Sequence, residues 1–231
     1  MRSPAQFRWE RELNKSFRDS VRPSLWSRRR GGTWIQVRES ACSEGRADLV
    51  WGRFEEGRSL TDIRRHAGIL QNLTCSRILA VLYREAALPA EDLRQRIGVS
   101  RPVLQKWLRA LAKAGLIEKG AGDFYSLIVP RKMPKVEICS FELKLKNWQR
   151  ALYQATRYRS FSHRVFVVMP RCSAELAYRH KHLFEKANIG LVSHETSGQS
   201  RLLVRPKTRP PHATYRTIMA IGMLSASRIK A

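Results

Sequence analysis

The sequence predicts an α/β fold that is interrupted by a helical insertion, and three features indicate it. An amphipathic helix and two alternating strands are expected in the first part of the chain. From about residue 135 onward, strand-like and helix-like segments alternate, which is typical of an α/β core. Between these parts, three helices and a β-hairpin are expected. We therefore predict one core built from residues 1–58 and 131–231, with residues 59–130 inserted between its two parts.

A helix is predicted over residues 7–26, because apolar side chains recur there every three or four residues. The apolar stripe includes Leu13, Phe17 and Val21, and the acidic Glu10 lies within it. One face of this helix is therefore expected to pack on a core.

Two strands are predicted next, over residues 33–39 and 46–54, with a turn near Gly45 between them. Asp48 lies near the start of the second strand, in a mostly apolar setting. An Asp in such a place either bonds a nearby backbone amide or carries a function, and the sequence leaves both interpretations open.

The inserted segment has the pattern of three helices and a hairpin. The helices are predicted over residues 74–86, 88–97 and 101–114, the third of them after an N-cap at Ser100. A glycine-rich hairpin is predicted over residues 115–127. This order of elements resembles the winged helix-turn-helix fold.

The resemblance to the winged helix-turn-helix fold covers roughly residues 70–130. It implies that the third helix enters the major groove of DNA while the hairpin touches the backbone. Four side chains of that helix are then candidate base or phosphate contacts, namely Arg101, Gln105, Lys106 and Arg109. An alternative stays open, because domains of this fold also mediate protein contacts or dimerisation.

The second part of the core alternates strands with helices. The predicted strands cover residues 136–145, 164–169, 189–194 and 201–204. The predicted helices cover residues 147–158, 173–186 and 213–228. The first helix and its two strands belong naturally to the same sheet, so the inserted segment interrupts that sheet between its second and third strands.

Glu142 and Lys144 lie two residues apart on the first strand of this second part. Because side chains alternate along a strand, both point to one face while Phe141, Leu143 and Leu145 point into a core. Most such pairs are ordinary ion pairs. The alternative is a metal-dependent site for the cleavage of phosphodiester bonds, and Glu142 and Lys144 cannot decide between the two by themselves.

The charge of the chain favours a polyanionic partner. The sequence has 44 Lys and Arg against 19 Asp and Glu, a formal net charge of +25. Residues 146–231 hold 16 of the bases and only 3 of the acids, a net charge of +13. An excess of this size destabilises a compact chain by self-repulsion unless a polyanion neutralises it. Nucleic acid is the expected partner, and an anionic membrane surface is the competing one.

The sequence gives few indications of the cellular compartment. No apolar run approaches the ~18 residues of a membrane-spanning helix, and the first residues lack the apolar core of a signal peptide. The cysteines are Cys42, Cys75, Cys139 and Cys172. They form no CxxC pair, so neither a zinc site nor a disulfide framework is predicted. We expect small buried cysteines and a cytoplasmic location.

The order helix, strand, Asp-bearing strand, Glu-x-Lys strand and then a helix with Gln154-x-x-x-Tyr158 resembles the PD-(D/E)XK nuclease superfamily. This is the restriction-endonuclease-like fold, a mixed sheet flanked by helices, and the Gln-x-x-x-Tyr element is similar to its RecB-like branch. The resemblance implies a metal-dependent endonuclease that acts on DNA.

The resemblance also implies a role for each matching residue. Asp48 and Glu142 are expected to bind Mg²⁺, with Mn²⁺ as the other candidate ion, and Lys144 to serve as the catalytic amine. Gln154 and Tyr158 are expected to support the site or to contact DNA. Glu10, on the first helix, is expected to supply the additional acid that some members carry.

The sequence departs from the superfamily pattern in two ways. No proline precedes Asp48, since the preceding residues are Arg46 and Ala47. A domain-sized segment separates Asp48 from Glu142, where the superfamily usually has a short hairpin. A further acid, Glu137, lies on the opposite strand face and is expected to be structural or exposed.

The interpretation that we adopt is a cytoplasmic, Mg²⁺-dependent nuclease that hydrolyses phosphodiester bonds in double-stranded or branched DNA. The first alternative is a non-catalytic winged-helix DNA-binding protein, such as a transcriptional regulator, that keeps a degenerate nuclease fold. The second is a subunit that binds structured or single-stranded nucleic acid, including RNA, within a larger complex. The sequence leaves open whether the chain forms a homodimer or needs a partner protein.

Overall fold

The structure, a computed structural model, describes residues 7–22, 31–42, 45–55, 59–128 and 136–227. The helix predicted over residues 7–26 spans only Glu10–Ser20, because the backbone is already extended at Val21. Residues 23–30 and 129–135 lie outside the described ranges.

The described chain begins with α1 (Glu10–Ser20), β1 (Thr33–Cys42), β2 (Gly45–Phe54), α2 (Ser59–Arg65), α3 (Ala67–Leu70) and α4 (Leu73–Arg84). It continues with β3 (Ala87–Pro89), α5 (Ala90–Ile97), α6 (Arg101–Lys113), β4 (Ile117–Lys119) and β5 (Phe124–Leu127). The remaining elements are β6 (Val136–Leu143), α7 (Trp148–Arg157), β7 (Arg164–Pro170), α8 (Arg171–Tyr178), α9 (Lys181–Ala187), β8 (Gly190–His194), β9 (Ser200–Val204) and α10 (Thr214–Ala226).

These elements divide into two compact units. The first unit contains the chain up to Arg53 together with Glu137–His212. The second contains Phe54–Val136 and Ala213–Arg228. From the sequence we grouped the last helix with the sheet, whereas in the structure α10 clusters with the inserted segment.

The first unit is an α/β structure with a mixed sheet of six strands, which confirms the predicted class. The strands lie in the order β1-β2-β6-β7-β8-β9. β6 and β7 are parallel, as are β7 and β8, whereas β9 runs antiparallel to β8. The helical crossovers α7 and α8–α9 connect the parallel pairs, as parallel neighbours require.

One face of the sheet packs on α1. The helix begins at Glu10 because the Glu12 carboxylate accepts hydrogen bonds from the amides of Arg8 (2.8 Å) and Trp9 (3.3 Å), which the first turn leaves unpaired. Its apolar stripe is buried as predicted. The cluster that joins helix and sheet contains Leu13, Phe17, Val21, Leu49, Trp51, Cys139, Phe141, Leu143, Phe166, Val168 and Val192.

The opposite face of the sheet packs on α7. This helix starts at Asn147, whose side-chain oxygen accepts the Arg150 amide at 3.0 Å. Ala151 and Ala155 are fully buried, and their small side chains allow the helix to approach the sheet closely. Tyr158 follows in a 3₁₀ turn and reaches over the same face.

The helix predicted over residues 173–186 is two helices in the structure, α8 and α9. Pro170 occupies the N-cap of α8, so Ser173 is not the cap that the sequence suggested. Its hydroxyl donates instead to the Leu145 carbonyl at 2.5 Å. The break falls before His180, the N-cap residue of α9, whose ring stacks on Trp148.

The second unit contains the three predicted helices as α4, α5 and α6, and a three-stranded sheet in the order β3-β5-β4. Gly98 ends α5 with φ +73°, a left-handed conformation that favours glycine. Ser100 occupies the N-cap position of α6 as predicted, although its side chain makes no capping bond. The short helices α2 and α3 and the strand β3 were not predicted; α2, α3 and α4 all pack against α10.

Two smaller findings bear on the sequence predictions. Within the described ranges, no helix has the length and apolarity needed to cross a bilayer. Cys75 and Cys139 are buried as expected, whereas Cys172 is exposed on α8, a correction to the predicted burial. Cys172 faces water because the buried side of α8 is formed by Ala174 and Ala177.

Candidate functional site

Asp48 and Glu142 lie on neighbouring strands and are linked through the backbone. The Asp48 carboxylate accepts a hydrogen bond from the Leu143 amide, the residue after Glu142, at 2.7 Å. This is the amide-bonded arrangement that the sequence left open for Asp48. It does not remove Asp48 from the site, because the amide that it holds lies between Glu142 and Lys144.

Glu142 is the most buried acid of this group, with its side chain 2% exposed. One carboxylate oxygen accepts the Tyr158 hydroxyl at 2.5 Å, and the other lies 3.3 Å from the Lys144 ammonium. Burial and the nearby charge of Asp48 raise the pKa of Glu142 to about 7, although Tyr158 and Lys144 act in the opposite direction. The carboxyl group therefore changes protonation near neutral pH.

Lys144 bridges two carboxylates. Its ammonium lies 3.3 Å from Glu142 and 3.2 Å from Glu10 on α1, and its side chain is 19% exposed. Burial lowers the pKa of Lys144, but the negative charges of Glu142, Glu10 and Asp48 outweigh burial and raise it above the ordinary value. The lysine is thus held in its charged form.

The backbone around Lys144 is held from two sides. Its amide donates to the Val168 carbonyl on β7 at 3.1 Å. The next carbonyl, that of Leu145, accepts the Ser173 hydroxyl from α8 at 2.5 Å. The backbone at the strand end is therefore fixed by groups from both β7 and α8.

Tyr158 supports Glu142 from the α7 face. Its hydroxyl lies 2.5 Å from Glu142 and 2.9 Å from the Arg46 carbonyl. A phenol has one proton, so it donates to one of these oxygens at a time. A protonated Glu142 can donate to the phenol and leave the phenol proton for the Arg46 carbonyl, whereas an ionised Glu142 accepts the phenol proton, which lowers the pKa of Glu142.

Gln154 lies one helical turn before Tyr158 on α7 and is half-buried. Its side-chain oxygen is buried and accepts no hydrogen bond within the described part of the chain. No hydrogen bond between described groups links it to Asp48 or Glu142. Of the sequence-predicted site residues in this unit, the structure joins Glu142, Lys144, Glu10 and Tyr158 by direct side-chain contacts. Asp48 is linked to them through the Leu143 amide, and Gln154 makes none of these contacts.

The four residues predicted to contact DNA lie on α6 in the second unit. Arg101, Gln105, Lys106 and Arg109 are all exposed, and α6 carries no acidic residue. The Lys106 ammonium lies 5.1 Å from the centre of the Trp107 ring.

The carboxylate cluster has the donor chemistry of a magnesium site. Mg²⁺ is a hard cation that takes one or two carboxylates and keeps several waters, and Asp48 and Glu142 supply two carboxylates. Among the residues that the structure describes, no group of three or more His, Cys, Asp or Glu side chains could hold a metal ion. The residues present fit a cation held by two carboxylates and water, rather than one enclosed by protein ligands.

Glu137 is not part of this cluster. It is buried on the other strand face, with its carboxylate 3.8 Å from the Arg53 guanidinium and 3.4 Å from that of Arg164. The structural role expected for Glu137 agrees with this burial between two cations.

One buried network carried no signal in the sequence. His194 on β8 is fully buried and its two ring nitrogens lie 2.9 Å from the Ser16 hydroxyl and 2.8 Å from that of Ser200. Burial lowers the pKa of His194 to about 4, so the ring is neutral at pH 7. It links α1 to the strands β8 and β9, and a spacing pattern could not reveal it because Ser16 is remote in the chain.

Comparison with family models, with curated proteins and with solved structures gives no significant match for this chain.

Proposed function

We propose that the first unit is a metal-dependent DNA nuclease of the restriction-endonuclease-like fold that hydrolyses phosphodiester bonds. The observation that carries the proposal is the buried Glu142, placed between a lysine held in its charged form and a second carboxylate on the neighbouring strand. The order of α1, β1, β2, β6, α7 and β7 supports it, because this is the order of elements in the fold that the sequence resembles.

Asp48 and Glu142 are the residues that hold Mg²⁺, or Mn²⁺, in this proposal. An ion held by these residues would supply stabilisation of the negative charge developing on the phosphate and a lower pKa for a bound water. Glu142 must be ionised to bind a cation, so binding near neutral pH releases a proton. Because the pKa of Glu142 is about 7, the release of this proton costs little free energy at physiological pH.

Lys144 acts on the phosphate and on the attacking water. Its ammonium is a compact charge that offsets the anionic character of the phosphate and orients the nucleophile. Glu10 shares this ammonium with Glu142, and so it holds the lysine at the edge of the cluster. Tyr158 fixes the Glu142 carboxylate from the opposite side.

The second unit is the DNA-binding part of the proposed enzyme. Its three helices and hairpin support a winged helix-turn-helix domain inserted into the nuclease chain. The exposed bases of α6, without any acid on that helix, suit the phosphates and base edges of duplex DNA. Double-stranded or branched DNA is the substrate class that follows.

A second candidate function is a DNA-binding protein with a degenerate nuclease fold. The observation in its favour is that no group of three metal-binding side chains occurs among the described residues, while Lys144 already neutralises Glu142. In that case the cluster is a buried ion-pair network, and the charge of the chain serves binding alone.

Cleavage of supercoiled plasmid and of branched DNA separates these functions. With Mg²⁺ or Mn²⁺ we expect the wild type to cut, and Glu142→Gln and Lys144→Met each to lose a factor of about 10² or more, since each removes charge from the site. Glu175→Gln, an exposed acid on α8, is the matched control and should cut normally. A wild type that binds DNA in EDTA but cuts no substrate with any divalent metal contradicts the nuclease and supports the second function.

A further inference from the structure

An aromatic surface lies next to the carboxylate cluster in the chain. The Trp148 ring stacks on His180, with ring centres 4.8 Å apart and planes 21° from parallel. The buried Phe184 lies behind this pair, 5.9 Å from Trp148. Trp148 is the first residue of α7 and follows Lys144 by four residues, so their Cα atoms are at most about 14 Å apart.

The same segment carries exposed aromatic and basic side chains. Tyr178 is 42% exposed, and the Lys181 ammonium lies 5.8 Å from the centre of its ring. His180, Lys146 and Lys181 are all exposed. We call Trp148, Tyr178, His180 and Lys181 the aromatic platform.

The charge of the surrounding chain complements a polyanion. Residues 144–187 contain ten Lys and Arg against two acids, Glu175 and Glu185. Of these two acids, Glu175 is paired with Arg171 at 2.9 Å. Acids outside the segment also pair with Lys144, Arg164 and Arg171, and the other bases of the segment still outnumber its acids.

Flat rings beside surplus positive charge distinguish one form of nucleic acid from another. In a duplex the bases stack on each other and expose only their edges, so an aromatic ring on a protein surface cannot stack on them. Unpaired bases have free faces, which stack on aromatic rings while lysine and arginine side chains contact the phosphates.

We propose that the aromatic platform binds unpaired nucleotides, and that the substrate is DNA with a single-stranded segment beside the scissile phosphate. The position of the single-stranded segment beside a scissile phosphate rests on the proposed nuclease function. The binding of unpaired nucleotides by the aromatic platform does not depend on that function. Branched DNA contains such segments, whereas a fully paired duplex offers the platform only its backbone.

The test is the affinity of a fluorescein-labelled oligo(dT) in EDTA, where no cleavage occurs, measured by fluorescence anisotropy. Trp148→Ala should weaken binding about tenfold, the size of one lost base–aromatic stack. Trp148→Phe keeps a ring on His180 and should recover most of the affinity. A labelled duplex of equal length should bind both variants as it binds the wild type.

Tyr153→Ala is the matched control. Tyr153 is 63% exposed on the same helix and stacks with Arg157 at 4.8 Å, but it lies five residues from Trp148 and therefore on a different side. It should bind oligo(dT) as the wild type does. The platform is overturned if Trp148→Ala leaves oligo(dT) affinity unchanged, or if it weakens duplex and oligo(dT) binding equally.

The outcome is separate from that of the cleavage assay. If Trp148→Ala loses oligo(dT) binding and the wild type cuts no DNA, the aromatic platform is supported and the nuclease function is rejected. If the wild type cuts DNA and Trp148→Ala binds oligo(dT) as well as the wild type does, the nuclease function is supported and the aromatic platform is rejected.

Discussion

Glu142 shows how a single carboxylate is tuned by its surroundings. Burial and the Asp48 charge disfavour its ionised form, while Tyr158 and Lys144 favour it, and burial prevails. Strongly shifted carboxyl groups with a specific charged partner are concentrated at functional sites. Burial of a carboxyl group in a purely structural position also raises its pKa, so the stability and the activity of a Glu142 variant must be measured together.

Glu142→Gln should change how stability depends on pH. The pKa of Glu142 is about 7 in the folded chain and 4.5 as its ordinary value, so between these pH values the folded state holds more protons. Its contribution to stability is complete below about pH 4.5 and is lost as the pH rises through about 7. Gln does not titrate, so we expect Glu142→Gln to gain about 2–3 kcal/mol relative to wild type between pH 4 and pH 8.

Urea unfolding in EDTA at the two pH values measures this difference. Glu175→Gln is the control for the replacement of an exposed carboxyl group outside the cluster. An offset for Glu142→Gln that does not change with pH would show that the pKa of Glu142 is the same in the folded and unfolded chain, and would remove the proton release from the proposed mechanism.

At the scale of elements, the second unit depends on a close contact between α10 and α3. A Cβ atom at Gly222 would lie 2.7 Å from the Leu70 Cβ and 3.0 Å from the Ala67 carbonyl oxygen. The two helices can approach this closely because position 222 has no side chain. Gly68, in contrast, has no atom within 4 Å of the place where its Cβ would be.

Gly222→Ala and Gly68→Ala are therefore a matched pair. Both gain helix propensity, but only Gly222→Ala forces α10 away from α3, and overpacking of this kind costs about 1–3 kcal/mol. We expect Gly222→Ala to lower the free energy of unfolding and Gly68→Ala to raise it by about 0.5–1 kcal/mol. Thermal or urea unfolding measures both, and a stabilised Gly222→Ala would contradict the packing of α10.

At the scale of the whole molecule, the net charge of +25 sets the expected interaction with DNA. Lysine and arginine side chains that contact phosphates release condensed counterions, and binding then weakens as salt rises. The exposed bases of α6 are the predicted contacts of the second unit. They can be compared with Arg94 on α5, whose guanidinium is already bonded to Glu91 at 2.6 Å.

We expect the logarithm of duplex affinity to fall steeply with the logarithm of salt concentration. Arg109→Ala should reduce the size of this slope by about 1, because one phosphate contact is lost. Arg94→Ala should leave the slope unchanged, since the Arg94 guanidinium is already paired with Glu91 within the protein. Anisotropy titrations between 50 and 200 mM salt measure the slope, and a flat wild-type slope would contradict the role assigned to the charge.

The fold and the candidate site could be predicted from the sequence to different degrees. The helix and strand patterns predicted the α/β sheet and most of its elements, because each pattern is local. The short helices α2 and α3 were not predicted. The helix α10 was predicted to belong with the six-stranded sheet but clusters with the inserted segment, because its apolar residues are compatible with either unit. His194 was missed since its hydroxyl partner on α1 is far away in the sequence.

The sequence by itself determined the net charge, the alternation that puts Glu142 and Lys144 on one strand face, and the helix that brings Tyr158 after them. Only the tertiary structure decided that Asp48 bonds the Leu143 amide, that Glu10 reaches Lys144 from another helix, and that Glu142 is buried enough to titrate near pH 7. Local periodicity specifies which face a side chain occupies. The partner that it meets there, and the water that it loses, depend on residues brought together across the chain.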